Sequence, residues 1–115
     1  MMKMSRSKEF YETIGQKMEK MKKDAPNMVA GFGGLFSKVM VDGAISLREK
    51  ELIALSIAVA VNCHPCIMAH VKKCLETGSS KEQILDAVSV AVVMGGGPAY
   101  MHVLEVMDAL EALGK

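Results

Sequence analysis

Tryptophan is missing from this 115-residue chain, and aromatic residues of any kind make up only 4% of it. A protein that holds nucleic acid by stacking bases has little to work with here. An excess of one charge is also lacking: fourteen Lys and Arg against thirteen Asp and Glu leave a net charge of +1. That is a poor footprint for phosphate-backbone binding. Cysteines are few and odd in number, at three, which excludes a disulfide-built scaffold. Long apolar runs are absent too. The longest, Leu52–Val61, is interrupted by Ser56 and is about half the roughly twenty residues a membrane crossing needs. Met1–Lys8 is polar and basic with no apolar stretch behind it, so no secretory signal is expected. The expectation is a cytoplasmic protein with reduced cysteines and with neither nucleic acid nor membrane as partner.

What is present is apolar. Half of the chain is hydrophobic and eleven residues are methionine, which excludes disorder. The length suits one domain. A domain this small buries only about two thirds of its unfolded surface. Part of the apolar excess is therefore expected at a subunit interface, in a homo-oligomer.

The patterning is helical throughout. Phe10, Ile14, Met18 and Met21 form one stripe over residues 5–23. The seven Lys and Arg against three Glu in residues 1–23 read either as a site for an acidic partner or, more simply, as a solvated face. Pro26 ends this helix and starts the next. In that next helix Gly31, Gly33 and Gly34 would permit close helix–helix approach. Asp42-Gly43 marks a turn. Ser46…Glu49 and Ser80…Gln83 have capping-box spacing and open two further helices. The first, running to about Asn62, is apolar on nearly every side and is expected to be central. A helix from Cys63–Pro65 to Thr77 lies between them, capped by Gly78. Gly95-Gly96-Gly97-Pro98 interrupts the chain before a last helix from Ala99 to Leu113. The result is an all-α fold of about six helices. Residues 1–25 form an N-terminal amphipathic helix and residues 26–115 the core, within one domain.

The stretch Cys63-His64-Pro65-Cys66-Ile67-Met68-Ala69-His70 carries the chemistry. Pro65 suits the start of a helix. Cys66 then falls in its first turn, where free N–H groups and the helix dipole favour a thiolate. Cys63 lies just before the helix, close enough for a disulfide with Cys66. His70 is four residues on from Cys66, on the same face, placed to take the thiol proton. Glu51, an acid on an otherwise apolar helix, is the candidate to orient that imidazole. Bland readings stand beside these. His70 can be a core histidine and Glu51 a surface acid. Cys74 reads as a small buried hydrophobe, and His102 as structural or exposed. C-x-x-C also suits zinc, but a structural zinc usually needs a second ligand pair. His64, His70, Cys74 and His102 supply no second paired motif, so neither metal nor other cofactor is expected.

Leu47-Arg48-Glu49-Lys50-Glu51-Leu52-Ile53-Ala54-Leu55, Cys63-x-x-Cys66-x-x-x-His70, Gly78 and Gly96-Gly97-Pro98-Ala99 together resemble the carboxymuconolactone decarboxylase family. Within that family the likeness is to the alkyl hydroperoxidase D (AhpD)-like branch, over about residues 26–108. The resemblance implies an all-helical bundle assembled into trimers or hexamers. It also implies a redox-active pair, Cys63 and Cys66, assisted by Glu51 and His70. Cys66, nearer the histidine, would attack a small hydroperoxide, Cys63 would form the disulfide, and a thiol or dithiol donor would reset the pair. Some peroxidase members have a further histidine immediately before the second cysteine. Here Pro65 stands there and His64 lies one position earlier, so no role carries over to His64. Two alternatives remain. One is a lyase acting on a carboxylated lactone, with Arg48 and His102 as the available cationic groups. The other is a non-enzymatic oligomer that responds to redox state or binds zinc.

Overall fold

Local side-chain chemistry sets where most of the helices begin and end. In the computed structural model, residues 5–115 are described; the first four residues of the expected N-terminal segment lie outside them. Five helices follow in order: α1 (Arg6–Asp24), α2 (Pro26–Val39), α3 (Leu47–Ala60), α4 (His64–Glu76) and α5 (Lys81–Ala112). There is no strand among the described residues. Both expected capping boxes form, Ser46 with Glu49 and Ser80 with Gln83. Arg48 Nη1 donates to Gln83 Oε1 at 3.0 Å, tying the starts of α3 and α5 together.

Three helices end in the same way. In each, a residue with positive φ reverses the chain: Asn62 (58°) after α3, Gly78 (97°) after α4 and Gly114 (80°) after α5. Paired amide-to-carbonyl bonds close each end. After α3 these are Cys63 N–H to Ala58 O and Asn62 N–H to Val59 O, the Schellman arrangement. The turn leaves no slack, so Cys63 becomes at once the N-cap of α4.

The last two expected helices are both present but meet without a loop, so that α5 is two helices joined end to end across a kink. Gly96 alone departs from helical dihedrals, at φ 71° and ψ −152°, and helix continues on both sides. Pro98 cannot donate an amide bond back along the helix, and a single glycine absorbs the mismatch as a kink. Among the described residues this gives five helical elements where about six helices are expected, because the fifth runs through the kink. At 32 residues, α5 also has the length and apolarity of a membrane-crossing helix. Counting only unbroken apolar runs hides this.

The core is built from α3, α4 and α5, which pack on one another. Leu55 and Val59 meet Ile67, Val71 and Cys74, and Ile84, Val88, Val106 and Leu110 close the cluster, all essentially without exposed surface. Gly95 lets α5 come close to α3: a Cβ there would lie 3.7 Å from Ala60 Cα and 2.8 Å from Ala99 Cβ. The close approach expected at Gly31, Gly33 and Gly34 is not made within the chain, since open space surrounds all three. Nor is α3 buried on every side. Ile53, Ile57 and Val61 remain exposed, beside Val90, Val93 and Met94 of α5.

The stripe on α1 is only half used. Phe10 and Tyr11 pack against the core, whereas Met18 and Met21 remain exposed. Helix α2 has no buried residue, and its backbone lies against α1 only. Phe36 is the exception, as its ring reaches back to α4.

Candidate active site

Two consecutive terminations assemble the site. The end of α3 delivers Cys63 as the N-cap of α4, and Pro65 follows in the first turn. Cys66 is thus in that first turn, as the sequence predicts. No side chain caps this helix and no acid lies in its first turn. The positive end of the dipole is left facing the cysteines, which favours sulfur as thiolate when the pair is reduced. In the structure Cys63 and Cys66 are joined by a disulfide, with their Cα atoms 5.3 Å apart.

His70 lies one turn beyond Cys66, and its Nδ1 is 2.7 Å from Glu51 Oε1. Glu51 is 3% exposed, so a carboxylate from α3 is held inside the fold with an imidazole as its hydrogen-bond partner. With Nδ1–H donated to the carboxylate, Nε2 of His70 is left as a proton acceptor. On its outer side the imidazole faces Phe36 of α2, with ring centroids 6.3 Å apart, and Lys73 Nζ lies 5.6 Å from the same phenyl centroid. The structure therefore brings Glu51 of α3 to His70 of α4, the helix that carries Cys66 and starts at Cys63. Phe36, on a helix whose backbone makes no contact with α4, carried no sequence signal for this place beside His70.

Cys74 is fully buried, one turn beyond His70. Burial, and then the Glu51 carboxylate, push its thiol up to about 12. A buried thiol pushed toward its protonated form is a poor nucleophile for exchange.

A second group of residues stands at the start of α4. His64 Nδ1 contacts Glu105 Oε2 of α5, and His102 Nδ1 lies 3.2 Å from Glu105 Oε1. Glu105 was not foreseen. The only sequence signal was its spacing from His102, one turn apart on a helix. Arg48 and His102, the two cationic candidates for a lyase, sit near opposite ends of α5 and share no site. Among the described residues no three His, Cys, Asp or Glu side chains converge as metal ligands would.

Comparison with known proteins places this arrangement. The sequence profile of the carboxymuconolactone decarboxylase family matches residues 26–109. The chain belongs to the carboxymuconolactone decarboxylase family. Within that family it falls in the AhpD-like branch. It is 38% identical over 82 residues to an uncharacterised protein of the cox locus of Paracoccus denitrificans, covering 71% of this chain and 74% of that one. It is 33% identical over 63 residues to the alkyl hydroperoxide reductase AhpD of Corynebacterium kroppenstedtii, covering 55% of this chain and 36% of that protein. A crystal structure of a carboxymuconolactone decarboxylase family protein from Legionella pneumophila superposes with a TM-score of 0.88 at 33% identity, over 96% of this chain and 98% of that one.

Proposed function

We propose that this family member is a thiol-dependent peroxidase, working through the Cys63–Cys66 pair. The observation that carries the reading is the His70–Glu51 pair. A buried carboxylate fixes one imidazole nitrogen, and the other nitrogen is free to serve a cysteine in the first turn of the same helix. Reduced Cys66 gives its proton to His70, and its sulfur attacks the terminal oxygen of a small hydroperoxide. The O–O bond breaks and the alkoxide leaves as alcohol, taking that proton. Cys63 then attacks the resulting sulfenic acid, and water leaves as the disulfide forms. A thiol or dithiol donor returns the pair to its reduced state. The chain spans about a third of the AhpD protein it matches, so hydroperoxide and donor are proposed as classes. A cytoplasmic location belongs to the same proposal, because the disulfide must be reduced again each cycle.

The test is peroxide consumption with a dithiol donor by wild type, Cys66→Ser and Cys63→Ser. Loss of turnover in Cys66→Ser, and a stalled sulfenic acid in Cys63→Ser, are expected. Equal turnover by all three proteins would end the reading. Stoichiometric zinc held by Cys63 and Cys66 in protein purified without chelator would replace it with the metal-binding alternative.

We also propose that the protein works as a homo-oligomer. Ile53, Ile57, Val90 and Met94 line an open apolar groove of about 420 Å³ between α3 and α5. Together with Phe32 and Leu35 on α2, these exposed apolar side chains are what a second copy of the chain would cover.

A further inference from the structure

Two carboxylate–imidazole pairs flank the Cys63–Cys66 bridge, and the peroxidase scheme uses only one of them. Joining two thiols as a disulfide removes two electrons and two protons, and breaking the bridge returns both. His70 can serve Cys66, one turn away. Cys63, at the N-cap of α4, is followed directly by a second imidazole, that of His64.

His64 is the residue bonded to Cys63. Its Nδ1 is held by Glu105 Oε2, and its Nε2 is buried without a partner. A buried ring nitrogen with nothing to bond is an unpaid desolvation cost unless it has a transient partner. Donation of Nδ1–H to the carboxylate leaves Nε2 with its lone pair, the state a proton acceptor needs. The other oxygen of Glu105 faces His102 Nδ1 at 3.2 Å, too misaligned for a hydrogen bond. Arg6 and Ser7 of α1 and Asp108 of α5 complete the surroundings, around a cavity of about 210 Å³.

We propose that His64 is the proton-transfer group for Cys63 and that Glu105 is its positioning residue, making a second relay separate from His70 and Glu51. The inference rests on the thiol–disulfide reading of the pair. In reduction, a donor thiolate attacks Cys66 Sγ and the S–S bond breaks. Cys63 Sγ leaves with the bonding electrons and takes the proton from Nε2 of protonated His64. The donor's second thiolate then attacks its own sulfur in the mixed disulfide. This releases the Cys66 thiolate and leaves the donor oxidised by two electrons. Water reprotonates His64. In disulfide formation His64 runs the other way, accepting the Cys63 proton.

The experiment is reduction of the bridge by dithiothreitol between about pH 5.5 and 8.5, the range in which histidine changes charge. It is followed by counting thiols in wild type, Glu105→Gln and His64→Gln. Both variants should reduce about tenfold more slowly near neutral pH. Their profiles should collapse to that of the dithiothreitol thiolate alone. Alkylation of Cys66 in the reduced variants should keep its wild-type pH dependence, because His70 and Glu51 are untouched. Helix content by circular dichroism checks the fold, and His64→Gln carries the test if Glu105→Gln does not fold. Wild-type rates and profiles in His64→Gln, or a uniform slowing with an unchanged profile in both variants, would overturn the relay while leaving the peroxidase reading intact. A wild-type bridge that dithiothreitol cannot reduce would end both.

Discussion

Cys74 and Glu51 show how one buried charge sets the character of its neighbours. The same carboxylate that orients His70 also opposes ionisation of Cys74, whose thiol rises from the ordinary 9.0 to about 12, mainly through burial. Reduced, folded protein at about pH 8 should therefore lose Cys63 and Cys66 to an alkylating reagent while Cys74 survives until denaturant is added. Alkylation of Cys74 at the rate of Cys63 would contradict this. The sign for stability follows. Below the ordinary value both folded and unfolded chains keep the Cys74 proton. Above it only the unfolded chain releases the proton, so stability falls as pH rises toward the folded value. Tyr11, also raised by burial and then by Asp108, adds to the same alkaline loss.

At the scale of elements, the informative places are the ends and the kink. The Ser46 and Ser80 capping boxes were legible because capping needs only a few neighbouring residues. The kink at Gly96 was legible as an interruption but not as a continuation. Gly-Gly-Gly-Pro reads as a loop until one sees that a single residue absorbs the whole distortion. Open space surrounds Gly96, so a side chain there meets no clash and only the backbone conformation is at stake. Gly96→Ala should therefore lower stability by about 1–3 kcal/mol, measured by urea denaturation. A variant as stable as wild type would show that the kink relaxes at no cost. The helix end near Asn62 was legible but its left-handed backbone was not, because asparagine is a less obvious left-handed residue than glycine. Yet Asn62 ends α3 and sets where Cys63 begins α4.

Across the whole molecule, the apolar excess visible in the composition lies largely outside the core. Val93 and Met94 are 82% and 80% exposed, and Phe32 of α2 is 66% exposed. The proposed homo-oligomer would cover these faces. Val93→Glu puts a charge on the α5 face without touching the core or the cysteine pair. Light scattering on a sizing column should show wild type as an assembly and Val93→Glu shifted toward the 12.4 kDa single chain. A wild-type protein that runs as a monomer at micromolar concentration would remove the proposal. Phe36 gives the arrangement a further consequence. It hangs on an arm that packs on α1 and is tied to α3 by the Lys50 Nζ to Val39 O bond, and its ring faces His70, so anything that seats the arm also seats the ring beside the site.

Helical class, four of the helix starts and the group Cys63, Cys66 and His70 followed from the sequence alone. These depend on neighbours within one or two turns, which the chain order records directly. The Glu51 partnership was suggested by the oddity of an acid on an apolar helix, but its contact with His70 depends on how α3 packs against α4. Glu105 beside His64, the end-to-end joining of two helices at Gly96 without a loop and the lie of α2 against α1 were decided only by the tertiary structure. Each joins residues distant in the chain or rests on a single backbone dihedral, and periodicity and spacing carry no record of either.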